Sequence, residues 1–318
     1  MNLPLKPPVE PQLARSRAGL PLGEQWSYEP KYDGFRAIVF VDGEQCYIQS
    51  RAGRPLARYF PELAFAPGRY VLDGEIVIDA DGDADDGGQD FDALQQRIHP
   101  AQTRIELLAE QTPARYVAFD LLAEQDDALL ALPFARRRAA LEALVRPPIG
   151  LTPLTSDAAV AEPWLHSGEG VVAKEVGAPY RPGQRVGMVK IKRVRTIDAV
   201  VAGYRPGKEP DTVGSLILGL YDDAGRLHVV GHSSGLRAGE KRALVGKLDA
   251  YRTGKRGHGD ASRWKSDKEL EWIELQPELV VEVTFDHQSG GRIRHGTKIL
   301  RWREDKAPGD CRLEQMRS

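Results

Sequence analysis

The sequence predicts an α+β protein with two domains: antiparallel sheets with a few helices over residues 1–194, then an OB-fold β-barrel over residues 195–318. The chain has 318 residues, which is enough for two hydrophobic cores. Segments with alternating apolar residues recur between turns rich in Asp, Gly and Pro, as expected for strands. After Arg195 the strands become short and closely spaced around one helix near residues 237–251, a pattern typical of small closed barrels.

The composition is that of a folded globular protein. Apolar residues make up 41% of the chain and charged residues 28%. No apolar run is long enough to cross a bilayer and residues 1–16 lack an apolar signal core, so we expect a cytoplasmic location without membrane contact. The net charge of −2 divides into −8 over residues 1–187 and +6 over the remainder. The C-terminal part is therefore the better candidate for contact with a polyanion.

The segment EPKYDGFR at residues 29–36 makes Lys31 the candidate nucleophile. A lysine amine attacks phosphorus only when unprotonated, and burial or nearby cations can lower its ordinary pKa of about 10.4. Pro30 stiffens the approach to Lys31, and Gly34 lets the chain turn sharply into an apolar strand over residues 35–41. We expect Lys31 at a strand entrance beside a cleft. The alternative is a surface lysine in a charged turn.

The next segments predict a hairpin and a strand with buried carboxylates. Two strands flank an Asp42-Gly43 turn, which brings Arg51 back toward Lys31, although Arg51 can equally be a solvated residue after a strand. In YVLDGEIVI, residues 70–78, period 2 places Asp73 and Glu75 on one face. Buried carboxylates need a metal, a ribose hydroxyl or a cation as partner. The acidic run at residues 79–90 is predicted to be a flexible, solvated loop.

Two helices follow from the residue pattern, with a buried strand between them. We predict a short helix over residues 91–98, a strand from Arg115 that carries Phe119, and an amphipathic helix over residues 134–145. The three consecutive arginines of the second helix, residues 136–138, are predicted to form a solvated face.

The basic, polar segment at residues 252–268 is predicted to be a mobile linker.

Two further strands, at residues 169–175 and 188–193, supply candidate phosphate ligands. Lys190 and Lys192 share one face of the second strand, as a phosphate cradle requires, and Arg185 in the preceding Gly/Pro loop can reach the same cleft. The alternative is a solvent-exposed edge strand protected by lysine.

These segments occur in an order that resembles a known superfamily. The chain is similar to the nucleotidyltransferases that include ATP-dependent DNA ligases and mRNA capping enzymes, and most closely resembles the compact bacterial LigC-type ATP-dependent DNA ligases. The resemblance implies an ATP-grasp-like nucleotidyltransferase domain followed by an OB-fold, and it covers nearly the whole chain. The segments that carry it are EPKYDGFR, QSR, LDGE, AFD, EGVVAK, KIK and RWREDK.

The resemblance also implies roles for individual residues. Lys31 would attack the α-phosphorus of ATP and form lysyl-AMP, and the AMP would pass to a DNA 5′-phosphate before the 3′-hydroxyl displaces it. The other implied roles are adenine recognition by Glu29 and Phe119, contact with ribose and phosphates by Arg36, Arg51, Glu75, Arg185, Lys190 and Lys192, binding of Mg²⁺ or Mn²⁺ by Glu75 and Glu169, and orientation of pyrophosphate by Asp305 and Lys306.

The implied partner is nicked double-stranded DNA, sealed by a monomer in the bacterial cytosol or nucleoid during DNA repair, with a DNA-end-binding repair protein as a candidate partner. Three alternatives share parts of the pattern. An RNA ligase or a capping-type guanylyltransferase would use the same KxDG chemistry on another acceptor or nucleotide. A non-catalytic DNA-end-binding protein would use the basic residues without the chemistry.

Overall fold

A computed structural model describes residues 1–80, 88–192, 195–258, 271–285, 288–289, 291–293 and 297–316. The chain divides into two compact units, Met1–Arg193 and Val194–Ser318. Within the described residues, no helix is long and apolar enough to span a membrane. Residues 81–87 of the predicted flexible loop and residues 259–268 of the predicted linker lie outside the described part of the chain.

The first unit combines two sheets with short helices. Its strands are β1 (Arg15–Ser16), β2 (Trp26–Pro30), β3 (Phe35–Gly43), β4 (Gln45–Ser50), β5 (Gly68–Val77), β6 (Arg115–Glu124), β7 (Asp127–Ala128), β8 (Gly150–Leu151), β9 (Gly170–Glu175) and β10 (Met188–Lys192). Its helices are α1 (Phe91–Gln96), α2 (Gln102–Gln111), α3 (Phe134–Leu144), α4 (Ala158–Ala161) and α5 (Trp164–Ser167), with a 3₁₀ helix at Ala57–Tyr59.

The larger sheet has the strand order β4-β3-β5-β6-β7, and β8 pairs with β6. Alternate residues of β3 enter two different apolar clusters, because successive side chains of a strand point to opposite faces. Val39 packs in the cluster that includes Leu141 of α3, whereas Ile38 and Phe40 pack with Tyr180 on the other side. Both faces of the sheet are therefore covered by protein.

The smaller sheet has the order β1-β10-β9-β2. Strand β9 lies in its centre, with Glu29 of β2 opposite Val172 and Lys190 of β10 also opposite Val172. This register brings Glu29, two residues before Lys31, and Lys190, a predicted phosphate ligand, to the same part of the sheet. The hydrogen bond from Lys31 N to Gly170 O, 2.9 Å, continues the pairing to the candidate nucleophile.

Several predicted elements differ in detail from the structure. The first hairpin turns at Gly43-Glu44, one residue later than predicted, because Asp42 pairs with Gln45 and Gly43 takes the positive φ of 62° that favours glycine. Helix α2 was not predicted. Helix α1 ends two residues earlier than the predicted bound, and α3 ends one residue earlier.

The second unit is built mainly of strands. Its elements are β11 (Arg195–Pro206), β12 (Val213–Tyr221), β13 (Leu227–Ser233), α6 (Ala238–Asp249), β14 (Arg252–His258), β15 (Glu271–Leu275), β16 (Val280–Phe285), β17 (Gln288–Ser289), β18 (Arg292–Ile293) and β19 (Lys298–Trp302), with 3₁₀ helices at Pro308–Asp310 and Leu313–Met316. One sheet has the order β13-β12-β11-β15-β14, and β16 pairs with both β11 and β19. Leu218, Val230, Leu248 and Val281 belong to its apolar core.

The prediction of a mobile linker is wrong for its first seven residues, which form β14 and pair with β15. The polar, glycine-rich composition predicts a loop, but the glycine at position 257 is explained by packing within the strand. A Cβ atom at Gly257 would lie 2.2 Å from the Trp272 side chain, so only glycine allows the indole this close to the strand.

Candidate functional site

Lys31 lines a cleft between the two sheets of the first unit. It follows β2 directly, and its Nζ donates a hydrogen bond of 3.2 Å to the Tyr32 carbonyl. Gly34 is required here for a different reason from the predicted sharp turn. Its φ is not positive, but a Cβ atom would lie 2.2 Å from the Ile76 carbonyl oxygen, so the segment after Lys31 can approach β5 only with glycine.

The cleft brings together eight of the predicted site residues. Strands β2, β3, β5, β6, β9 and β10 and the loops beside them supply its walls, and Pro11, Leu13 and Ala14 complete it from the N-terminal segment. The predicted residues in its lining are Glu29, Lys31, Arg36, Arg51, Glu75, Phe119, Arg185 and Lys190. Asp33, Lys174 and Met188 also line it. Glu169 and Lys192 do not line it, although both belong to the described part of the first unit.

Positive charge is concentrated around Lys190. Burial lowers the pKa of Lys190, and the positive charges of Lys192, Lys31, Arg51 and Arg185 lower it further. Four other cationic side chains therefore lie near enough to Lys190 to affect its protonation. Such a concentration of like charge is unfavourable in the empty protein and favourable once a polyanion such as a triphosphate neutralises it.

Arg36 is held by a carboxylate that the sequence placed on the same strand face as Glu75. Asp73 accepts hydrogen bonds of 2.6 Å from both Nε and Nη2 of Arg36 and a third, also 2.6 Å, from the Tyr180 hydroxyl. Of the three kinds of partner predicted for this buried carboxylate, Asp73 therefore has a cation. The Arg36 guanidinium also lies over the Phe119 ring, 4.6 Å from its centroid, which fixes both groups at the cleft wall.

Glu29 is almost completely buried, with 3% of its surface exposed. Lys174 Nζ lies 2.8 Å from one carboxylate oxygen, and Arg138 Nη1 lies 3.4 Å from the other. The pKa of Glu29 is raised, because the effect of burial exceeds the lowering by Lys174 and Arg138. The side chain that the resemblance assigns to adenine recognition is therefore a buried acid held between two cations.

The prediction that the arginines at residues 136–138 form a solvated face is wrong for two of them. Arg137 and Arg138 are 2% and 5% exposed. Arg137 donates to both carboxylate oxygens of Asp120, at 2.8 and 3.0 Å, and Arg138 reaches Glu29. Both point toward the sheets because partner carboxylates there compensate the cost of burying a guanidinium.

Asp305 and Lys306 lie in the second unit, after β19. Arg303 donates to both carboxylate oxygens of Asp305, each at 2.9 Å, and these hydrogen bonds lower the pKa of Asp305 to about 2. Asp305 remains 66% exposed, and Lys306 Nζ lies 4.0 Å from Asp198. Both side chains are available at the surface of their own unit.

The cleft offers few carboxylates to a divalent cation. Among the described residues, no group of three or more His, Cys, Asp or Glu side chains is arranged to hold a metal. Asp33, Glu75 and Glu29 line the cleft, and Glu29 is already paired with Lys174 and Arg138. One carboxylate with substrate phosphates is a common way for proteins to bind Mg²⁺, so the donor set fits a cation brought by a nucleotide better than a metal cage made of protein alone.

Glu75 gives the cleft a pH-dependent charge. Burial raises its pKa from 4.5 to about 7, and the nearby Arg36 and Lys31 offset only part of that rise. Because the folded protein then binds this proton more tightly than the unfolded chain, the stabilisation is complete below about pH 4 and is lost as the pH rises through about 7. We expect Glu75→Gln to gain stability relative to the wild type over this range.

The measurement is urea unfolding of both proteins without nucleotide and with a metal chelator, at about pH 5, 6 and 7. Glu44→Gln, a change at an exposed turn residue, is the matched control and should show a constant difference. A Glu75→Gln difference that does not change with pH would contradict the raised pKa.

Sequence reasoning missed three residues that shape this site. Lys174 had a usable signal, because period 2 along β9 places it on the same face as Val172, which also lines the cleft. Arg138 had none, since its partner Glu29 is 109 residues away in sequence. Tyr180, whose hydroxyl binds Asp73, lies in a Gly/Pro loop without regular period.

Comparison with known proteins covers both units. The model of the ATP dependent DNA ligase domain family matches residues 11–192, and that of the ATP dependent DNA ligase C terminal region matches residues 209–306. DNA ligase C2 of Mycolicibacterium smegmatis is 44% identical, with 100% of this chain and 97% of that protein covered. DNA ligase C of Mycobacterium tuberculosis is also 44% identical, over 99% of this chain and 96% of that protein.

Two solved DNA ligase structures resemble this chain. The ligase domain of M. tuberculosis LigD is 29% identical, covers 95% of this chain and 97% of its own, and has a TM-score of 0.53. A Lig E DNA ligase described as binding DNA with a minimal scaffold is 20% identical over 92% of this chain and 99% of its own, with a TM-score of 0.57. The second likeness supports the fold alone.

Proposed function

Because the chain belongs to the ATP-dependent DNA ligase family and is of the LigC type, we propose that it seals nicks between a 3′-hydroxyl and a 5′-phosphate in duplex DNA through a lysyl-AMP on Lys31. The observation that carries this proposal is the cleft itself. Lys31 lies there with Arg36, Arg51, Arg185 and Lys190, beside a buried acid and an aromatic ring.

The first step needs a free amine and a neutralised triphosphate. The Lys31 Nζ attacks the α-phosphorus of ATP, a P–N bond forms, and the bond to the β-phosphate oxygen breaks, so pyrophosphate leaves. Lys190 and Arg185 neutralise the phosphates, with Lys192 acting on the same region. Glu29 accepts from the adenine amino group, and the Phe119 ring stacks on the base.

The next two steps return the lysine and join the strands. The 5′-phosphate oxygen of the nick attacks the phosphorus of lysyl-AMP, which releases the Lys31 amine and gives a DNA-adenylate. The 3′-hydroxyl then attacks the DNA phosphorus, a phosphodiester forms and AMP leaves. In both steps the cationic wall offsets charge on the transferring phosphoryl group, with Arg36 and Arg51 beside the ribose and phosphates.

A divalent cation, Mg²⁺ or Mn²⁺, would neutralise phosphate charge when bound. Glu75 is the lining carboxylate proposed to hold it, and Glu169, just before β9, is the second candidate. We also propose that the second unit is an OB-fold, and that Asp305 and Lys306 orient the departing pyrophosphate. That last role requires the second unit to approach the cleft during adenylation.

Nucleotide labelling combined with strand sealing tests the proposed function. The protein is incubated with Mg²⁺ and α-labelled ATP or GTP, separated on a denaturing gel, and assayed on a nicked DNA duplex and on a matched nicked RNA duplex. We expect label from ATP and sealing of the DNA nick. Label from GTP without sealing would indicate a capping-type guanylyltransferase. Preferred sealing of the RNA duplex would indicate an RNA ligase, and the absence of label from either nucleotide would indicate a DNA-end-binding protein.

A further inference from the structure

Arg138 contacts Glu29 from outside the cleft. Glu29 and Lys174 line the cleft, whereas Arg138 does not, and its side chain is 6% exposed. Arg138 reaches Glu29 Oε1 with Nη1, at 3.4 Å, from helix α3. It therefore acts on a bound nucleotide only through Glu29.

Two other hydrogen bonds fix the guanidinium of Arg138. Its Nε donates to Glu142 Oε1, one helical turn along α3, at 2.7 Å, and its Nη2 donates to the Thr152 carbonyl at 2.7 Å. These contacts use each nitrogen of the planar fork for a different partner. The third nitrogen is thereby held toward the Glu29 carboxylate before any ligand binds.

The charge of Glu29 determines which base edge it can accept. An ionised carboxylate only accepts hydrogen bonds, so it suits the 6-amino group of adenine and disfavours the 6-carbonyl of guanine. A buried carboxyl without paired cations becomes protonated and then offers a donor as well. Lys174 Nζ pairs with Oε2 of Glu29 at 2.8 Å and also donates to the Phe119 carbonyl at 3.0 Å, so Arg138 is the second of the two cations that compensate the Glu29 charge and the one that contacts Oε1.

We propose that Arg138 is a positioning residue that keeps Glu29 ionised and correctly oriented, and so sets the preference for a 6-aminopurine nucleotide. This inference rests on the proposed role of Glu29 in adenine recognition. It assigns a function to one of the buried arginines of α3 that is separate from the structural pairing of Arg137 with Asp120.

The test is single-turnover formation of lysyl-AMP, or of its analogue, from ATP and from purine riboside triphosphate, which lacks the 6-amino group. The ratio of the two rates measures how much the amino group contributes. In Arg138→Met, which keeps an unbranched apolar stem, we expect this ratio to fall about tenfold, because a charge-assisted hydrogen bond is weakened. The loss should come from ATP, with the analogue almost unaffected, and Arg138→Lys should recover part of the ratio.

Three further variants separate the explanations. Arg136→Met, on the exposed side of the same helix, should keep the wild-type ratio. So should Glu142→Gln, whose amide oxygen still accepts from Arg138 Nε and keeps the guanidinium in place. Glu29→Ala, which leaves no acceptor at this position, should lose the preference for ATP that the ratio measures. If Glu29→Ala keeps the ratio, the role of Glu29 is wrong, although Lys31 chemistry still stands on labelling by ATP. The inference about Arg138 is overturned if Glu29→Ala loses the ratio while Arg138→Met and Arg138→Lys keep it, or if Arg138→Met slows both nucleotides equally.

Discussion

Lys31→Ala is expected to reduce formation of the enzyme–AMP adduct by at least about a thousandfold, because no other group can replace a covalent nucleophile. Lys31→Arg should be equally inactive, since a guanidinium keeps the positive charge but does not lose its proton. Adduct formation from α-labelled ATP, quantified on a denaturing gel, is the measurement. Lys6→Ala, at an exposed lysine of the same unit, is the control.

A substrate adenylated in advance distinguishes loss of the nucleophile from general damage to the cleft. A nicked duplex that already carries AMP on its 5′-phosphate needs only the attack of the 3′-hydroxyl, in which Lys31 is no longer the nucleophile. Lys31→Ala should therefore seal this duplex far better than it seals an ordinary nick with ATP. An adduct that persists in Lys31→Ala would place the nucleophile elsewhere, and equal loss on both substrates would indicate damage to the cleft.

Asp73→Ala is expected to destabilise the first unit by about 3 kcal/mol, because it leaves the Arg36 side chain, only 20% exposed, without its buried partner. Asp73 is completely buried and accepts three short hydrogen bonds, two from Arg36 and one from Tyr180. The change should be seen in urea unfolding and in faster hydrogen exchange at the amides of β3 and β5, which this pair links across the sheet.

Two controls calibrate that loss. Tyr180→Phe removes one of the three hydrogen bonds to Asp73 and also the one that its hydroxyl accepts from Gln12 N, so it should cost about 1–2 kcal/mol. Asp79→Ala removes an equally bidentate pair with Arg115, but both side chains are about half exposed, so the loss should stay below about 1 kcal/mol. If Asp73→Ala were no less stable than Asp79→Ala, the buried pair would not be the stabilising feature described here.

Much of the cleft was predictable because its signals are local. The segment around Lys31 has a spacing that places a lysine at a strand entrance, and the alternation in MVKIK puts Lys190 and Lys192 on one face whatever the rest of the chain does. The ATP-dependent DNA ligase assignment, drawn from the order of such segments, is confirmed by the family models and by relatives 44% identical over the full chain. The roles of the individual site residues remain predictions.

Errors arose where a pattern has two solutions that differ only in distant contacts. Three arginines on a helix look the same whether they face water or carboxylates, and the partner of Arg137 is 17 residues away while that of Arg138 is 109 away. The segment Arg252–His258 has a loop-like composition, yet it forms a strand because β15 offers a pairing edge and Trp272 covers Gly257.

The chemical groups of this protein, their order and their faces on each strand follow from the amino-acid sequence, because period and turn chemistry act over a few residues. The charge and burial of those groups follow from the folded chain. Desolvation depends on every atom that surrounds a side chain, and the cations that compensate Glu29 come from β9 and α3, far from it in sequence. The same physics makes Asp73 a structural anchor for Arg36 while Glu75, two residues along the same strand, faces the cleft with a raised pKa.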